Sequence, residues 1–254
     1  MPELRFDGRA VVVTGAGAGL GRHYALLLAA RGAGVVIADY GVSLQGEGTS
    51  SEPAESVAAE ITAAGGTAIT VRADLRRAEA PGQLVRAAAE ALGPVDVLVS
   101  NAGLSRVQPL EDITAAQFDE MLAVNLRAPF LLAQCAVPSM RERGFGRILF
   151  VSSVAAFTGG IVGPHYAASK AGLHGLTHFL ASRLAASGVT VNALAPALVA
   201  ETGMLPGDPA ELRRQVPVGR LGQPSEVADL AATMLANAYL TNQVISLDGG
   251  IHPR

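Results

Sequence analysis

Tyr166 and Lys170 stand four residues apart in Tyr166-Ala167-Ala168-Ser169-Lys170, inside a stretch that reads as a helix. At that spacing both side chains share one helical face. A phenol ordinarily keeps its proton to about pH 10, too tightly for proton transfer near neutrality. A neighbouring ammonium favours the phenolate, which would make Tyr166 a usable general acid/base. Taken alone, such a pair is more often surface decoration than chemistry, so its meaning depends on what else the chain carries.

A second pattern supplies context. Val11-Val12-Val13-Thr14 runs into Gly15-Ala16-Gly17-Ala18-Gly19-Leu20-Gly21 and then into a helical stretch beginning Arg22-His23-Tyr24. Glycines permit a tight turn and close backbone approach, and a helix N-terminus offers free N–H groups to a pyrophosphate. A strand, a Gly-rich turn and a helix start in that order make a dinucleotide site the expectation. Asp39 closes the next strand candidate. A carboxylate there accepts hydrogen bonds from a ribose 2′-hydroxyl and repels a 2′-phosphate. Tyr40 rather than Arg follows it, and Ala18 occupies a loop position where a base would meet phosphate, so the residues favour NAD over NADP. The plain alternative is an Asp that merely starts a turn.

The elements that must position these groups follow from the pattern of apolar residues. Strand candidates lie at 10–14, 34–39, 68–73, 95–100, 147–151, 189–193 and 244–247. Several are apolar throughout, which suits strands covered on both faces. Helix candidates at 21–31, 51–64, 81–92, 114–143, 166–187 and 225–238 alternate with them. The expected fold is α/β, a single-domain Rossmann fold over 1–254 whose doubly wound, seven-stranded parallel sheet carries helices on both faces. Two Gly-rich segments break the rhythm, 41–52 and 202–223. Both read plainly as surface loops. The second follows a strand C-terminus, where ligands bind in open α/β sheets, so 200–223 is also a candidate substrate-binding lid.

Bulk properties narrow the partners. Half the 254 residues are apolar, only 4% are aromatic and none is Trp, so the core must be aliphatic. A net charge of −3 without a basic block gives no reason to expect nucleic acid or an anionic membrane. The lone Cys135 has no disulfide partner and reads as inert packing in its apolar stretch. No Cys/His cluster has metal-ligand spacing, and no uninterrupted apolar run approaches the ~18 residues of a membrane span. The N-terminal residues carry no apolar secretion segment, which makes a cytoplasmic protein the default.

Joined together, these motifs resemble the short-chain dehydrogenase/reductase family, in its single-domain oxidoreductase branch. The likeness is carried by Thr14-Gly15-xxx-Gly19-x-Gly21, Ser100-Asn101-Ala102-Gly103, Asn125 within Val124-Asn125-Leu126, Ser153, Tyr166-xxx-Lys170 and the final Asp248-Gly249-Gly250. Within the family the chain is most similar to 3-oxoacyl-carrier-protein-reductase-type enzymes. Its loops at 15–24 and 41–52 also resemble dehydrogenase domains that oxidise 3-hydroxyacyl-CoA.

The resemblance implies an NAD(H)-dependent interconversion of a secondary alcohol and a ketone. It makes Tyr166 the acid/base, Lys170 the group that lowers its pKa and holds the nicotinamide ribose, Ser153 the anchor of the substrate oxygen, and Asn125 the holder of a relay water. The implied cofactor contacts are Gly15, Gly19, Leu20, Gly21, Asp39, Asp74, Leu75, Asn101, Ala102, Gly103, Pro196, Val199 and Thr202. Pro196-Ala197 stands where the family has Pro-Gly, and 199–202 runs one residue longer than usual, which weakens the assignment of Thr202.

The candidate substrate pocket is Leu104, Val107, Ala155, Phe157, His165, Leu198, Met204 and Leu205, with His165 alternatively a turn residue. No basic patch for a CoA or carrier-protein phosphate stands out, although Arg106, Arg213 and Arg214 are available for one. His174 and His178 read as packing or interface residues. A homotetramer or dimer is implied, using the helices at 114–143 and 166–187 and the last strand. Two rival functions remain: an NADPH-dependent 3-oxoacyl-carrier-protein or CoA reductase, and a catalytically idle NAD-sensing protein.

Overall fold

The fold was obtained as a computed structural model, and residues 4–252 except Pro206 are described. In chain order the regular elements are β1 (Ala10–Thr14), α1 (Gly19–Ala30), β2 (Gly34–Asp39), α2 (Glu52–Ala63), β3 (Thr67–Arg72), α3 (Ala80–Leu92), β4 (Val97–Ser100), α4 (Ala115–Leu122) and α5 (Ala128–Glu142). There follow β5 (Gly146–Val151), α6 (Ala155–Thr158), α7 (Pro164–Leu184), β6 (Val189–Pro196), α8 (Pro209–Arg214), α9 (Pro224–Ala236) and β7 (Val244–Leu247).

The seven strands form one parallel sheet in the order β3-β2-β1-β4-β5-β6-β7. Alternate residues of the same strands feed two aliphatic layers. Val11, Val13, Val35, Ile37, Val97, Val99 and Leu149 pack under α1, α2 and α9. Val12, Val36, Leu98, Ile148, Phe150 and Val191 pack under α3, α5 and α7. This is why the central strands read as unbroken apolar runs: neither face meets water. Each fully buried Val, Leu or Phe contributes roughly 1.5–3 kcal/mol.

The order reverses between β1 and β4, which opens a crevice at their C-terminal ends. The fully buried Thr14 stitches this seam, its hydroxyl oxygen accepting from the backbone N–H groups of Asn101 and Ala102, both at 3.0 Å.

Three features depart from the sequence reading. The expected helix at 114–143 begins at a Thr114–Gln117 capping box and contains a π-helical segment, Ala123–Arg127, that carries Asn125. No propensity signal marks such a bulge, since tertiary contacts select it. From Ala115 to Glu142 this composite helix is long and apolar enough to cross a membrane, but half of its most apolar window is buried within the protein. Strand β6 continues to Pro196, three residues past its expected end, because β7 pairs with Ala193–Pro196. Cys135 is exposed rather than packed, since its α5 neighbours Leu132 and Ala136 take the inward face.

Replacing Thr14 by Val would strand the two part-buried N–H donors while keeping the shape. We expect a loss of roughly 2–4 kcal/mol of unfolding free energy in denaturant titrations. A loss below about 0.5 kcal/mol would show that the seam does not depend on this hydroxyl.

Candidate active site

A cavity of about 660 Å³ occupies the crevice at the strand C-termini. The Gly loop forms one end of it. Gly15 lies in the left-handed region at φ 65°, and a Cβ on Gly21 would stand 2.0 Å from the Gly15 carbonyl oxygen, so α1 can start this close only with glycine there. Gly15, Gly19 and Leu20 line the cavity, whereas Gly21 supports the turn from behind. Asp39 lines it too, and its carboxylate already accepts from Gly17 N–H and Gly41 N–H, each at 2.8 Å. It therefore shapes the loop as well as facing the cavity.

Asp74, Leu75, Asn101, Ala102 and Gly103 continue the wall. The Arg76 guanidinium grips Asp74 at 2.8 and 3.0 Å and holds its carboxyl below the usual carboxylate range. The Asn101 side-chain amide donates to the carbonyls of Thr14 and Gly15 at 3.0 and 3.3 Å, tying the Gly loop to the end of β4.

Ser153, Tyr166 and Lys170 meet at the other end. Tyr166 is 5% and Lys170 4% exposed, and the ammonium donates to Val151 O at 2.8 Å, 5.7 Å from the centre of the phenol ring. The pair does not behave as the spacing suggests. Burial pushes the Tyr166 phenol up to about 12 although the Ser153 hydroxyl pulls it down, and burial pushes Lys170 down to about 8. Desolvation disfavours each charged form and is the leading influence on both.

Asn125 is fully buried and does not line the cavity. Its side chain clamps the Leu104 peptide from both sides, at 2.8 and 3.0 Å, and donates to Ser169 Oγ, which in turn donates to Tyr166 O. The π-helical segment thus ties the loop after β4 to the helix that bears Tyr166.

Pro196, Val199 and Thr202 line the cavity, with the Thr202 hydroxyl donating to Val199 O at 3.1 Å. Leu198 and Glu201 have positive φ, 46° and 58°, within the unusual stretch that the sequence flagged. Such strain in non-glycine residues is concentrated at functional sites.

Among the expected pocket residues, Leu104, Ala155, Leu198, Met204 and Leu205 line the cavity; Val107, Phe157 and His165 do not. Val107 is exposed. Phe157 turns away to pack on His174 and His252. His165 is wholly buried behind the wall, its pKa lowered by burial and by Arg106, with neither ring nitrogen hydrogen-bonded to a described residue. His174 bonds Ser152 Oγ at 2.8 Å and His178 bonds Asn242 at 2.7 Å. Arg106 is paired with Glu120, and Arg213 and Arg214 stand outside the cavity.

The sequence reading missed Val42, Ser43, Leu44 and Gly46, which bring the loop after β2 to the cavity, and Ile251 from the tail. Only the Gly content of that loop hinted at it, and nothing local marks Ile251.

A family model for short-chain dehydrogenases matches residues 9–212. The chain belongs to the short-chain dehydrogenase family. A 3-oxoacyl-[acyl-carrier-protein] reductase from Synechocystis sp. is 38% identical, over 94% of this chain and 95% of that one. A dehydrogenase/reductase structure from Sinorhizobium meliloti 1021 superimposes with TM-score 0.87 at 37% identity, covering 98% of this chain and 97% of its own. A structure described as an NAD(P)-dependent gluconate 5-dehydrogenase from Beutenbergia cavernae, with NADP at low occupancy, has TM-score 0.88 and 37% identity, covering 98% of both chains. This short-chain dehydrogenase is accordingly an NAD(P)(H)-dependent oxidoreductase of alcohols and ketones. The Gly21 cradle and the Gly-loop backbone suit such a dinucleotide.

Lys170 is the only lysine in the chain. With its pKa lowered from 10.5 to about 8, the unfolded state binds the extra proton between those values, so stability rises with pH across that window. The total rise is on the order of 3 kcal/mol. Lys170→Met should lack this rise, so the wild type gains on it from pH 8 to 10.5 in chemical denaturation. A constant difference over that range would refute the burial-depressed ammonium.

Proposed function

We propose that the protein is an NAD(H)-dependent dehydrogenase that interconverts a secondary alcohol and its ketone, with Tyr166 as the general acid/base. The observation carrying this reading is Ser153 beside the buried Tyr166 and Lys170 in the same cavity as the Gly loop and Asp39. When bound, the nicotinamide cofactor supplies the hydride acceptor or donor. Gly15, Gly19 and Leu20 would hold its pyrophosphate, Asp39 a ribose, and Asp74 and Leu75 the adenine side. Asn101, Ala102 and Gly103 would border the sugars, and Pro196, Val199 and Thr202 the carboxamide end.

Ser153 fixes the substrate oxygen beside the Tyr166 phenol oxygen, which as phenolate takes up the alcohol proton as the carbonyl forms and, as the hydroxyl so produced, returns it in the reverse direction. Lys170, besides meeting ribose hydroxyls, stabilises the phenolate that oxidation requires. Burial otherwise holds Tyr166 protonated, and the positive charge that an oxidised nicotinamide would supply when bound would offset it. Asn125 braces the Tyr166 helix, and the water relay belongs to this reading as its outlet to solvent. The 200–223 segment acts as the substrate lid. The exposed rings of Phe118, Phe130 and Phe179 on the two long helices support a homotetramer or dimer, and a cytoplasmic setting fits this assignment.

One observation favours NADP as a second reading. The Arg72 and Arg76 guanidinium groups stand 4.9 and 5.4 Å from the Tyr40 ring, close to Asp39. Asp39 repels a 2′-phosphate, and Arg76 is already held by Asp74, so NAD is retained as the partner.

Tyr166→Phe should cut kcat by about 10²–10⁴-fold in a secondary-alcohol assay while NAD titration still shows binding. Full turnover by this variant would end the proposed mechanism. Wild-type protein that binds NAD yet turns over no alcohol or ketone would point to an NAD sensor. Asp39→Ser should move preference toward NADP in paired titrations, and a wild type that already prefers NADPH would reverse the cofactor assignment.

A further inference from the structure

The end of the cavity beside Ser153 and Tyr166 has a wall made by the C-terminal segment. After β7 the chain turns back at Gly249 and Gly250, both with positive φ. Asp248 secures the turn, its carboxylate accepting from Gly250 N–H at 2.9 Å and His252 N–H at 3.0 Å. A Cβ on Gly249 would lie 2.5 Å from Val216 Cγ1, so glycine lets the tail press against the segment after α8. Val218 N–H donates to Gly249 O at 3.2 Å across that contact.

The turn has two products. Ile251 enters the cavity wall, facing a space also lined by Ala155, Val162, Leu198 and Met204. His252 stacks on Phe157, with ring centres 5.1 Å apart and planes 7° from parallel. Phe157 packs in turn on His174, at 4.6 Å, and His174 bonds Ser152, the neighbour of Ser153. The tail is thereby anchored to the strand end that carries the oxygen anchor.

Charge is distributed unevenly along the cavity. Among the described residues, its charged lining side chains are Asp39, Asp74, Arg76 and Lys170. Asp74 and Arg76 pair with each other beside Tyr40, Asp39 belongs to the Gly loop, and Lys170 is bound to Val151 O. Among the described residues the one cation at the Ile251 end is Lys170, whose ammonium is given to Val151 O and, in the reading above, to ribose hydroxyls. A carboxylate there would be buried without a cation of its own, which is costly.

We propose that Ile251, held by the His252–Phe157 stack, sets substrate size, and that the pocket selects uncharged secondary alcohols with an apolar body over carboxylated ones. This rests on the dehydrogenase reading above. A missing or added methylene in an apolar pocket changes selectivity by roughly 10–200-fold.

The test compares kcat/KM for 2-propanol, cyclohexanol, 4-tert-butylcyclohexanol and 4-hydroxycyclohexanecarboxylate. Ile251→Ala should raise the ratio of tert-butylcyclohexanol to 2-propanol about tenfold, Ile251→Val should raise it less, and Ile251→Phe should lower it. Misfolding cannot move the ratio in opposite directions. His252→Ala should shift it in the same sense as Ile251→Ala, and His252→Phe should restore it. The carboxylate should be at least tenfold poorer than cyclohexanol.

The corresponding ketones are titrated by calorimetry into NADH-loaded protein in a Tyr166→Phe background, which separates binding from chemistry. Binding ratios that follow residue 251 without turnover in the otherwise wild-type protein would sink the acid/base reading and keep this one. Turnover whose ratios ignore residues 251 and 252, or a carboxylate preferred over cyclohexanol, would overturn the proposal.

Discussion

The site depends on one seam, where β1 and β4 lie side by side and the chain leaves each in a different direction. Thr14 accepts from the first two peptides after β4, and Asn101 answers by donating to the last carbonyls of β1. From there the polar path continues through Leu104 to Asn125, to Ser169 and to the backbone of Tyr166. The Gly loop and Tyr166 are far apart in sequence yet belong to one hydrogen-bonded frame. Because the frame is buried, each unmade bond in it costs the desolvation of a polar group, which makes its geometry all but obligatory.

The same burial disfavours the charged forms of Tyr166 and Lys170. A dry pocket holds the phenol protonated and weakens the ammonium, opposite to what proton abstraction needs. Under the proposed function, a cationic ring brought into the pocket would change that balance and couple proton transfer to cofactor occupancy through electrostatics, with no moving part required.

Much of this was legible in the sequence, for reasons that can be named. Two-faced burial left continuous apolar strands, the tight turn of the Gly loop demanded its glycines, and the helical period aligned Tyr166 with Lys170. What escaped was decided by tertiary contacts. The π-helical turn at Asn125 has the composition of an ordinary helix. Phe157 and His165 lie near Ser153 and Tyr166 in sequence, but their side chains turn away from the cavity, one into an aromatic stack and the other into the interior. Ile251 is distant from every motif and reaches the pocket only because Asp248 folds the tail back. The sign of the pKa shifts also escaped, because spacing reports a neighbour's charge and says nothing of the water excluded around it.

The solitary lysine has a consequence for covalent chemistry on this protein. All other basic side chains apart from histidine are arginines, so no surface ε-amine exists to absorb an acylating or carbonylating reagent. Any such electrophile that modifies a lysine must travel down the cavity to Nζ of Lys170. Nicotinamide dinucleotide bound there would close that route, so acylation at this position and cofactor occupancy exclude one another. Acylation read at Lys170 itself, apart from the chain's α-amine, would therefore serve as a stain for the empty site.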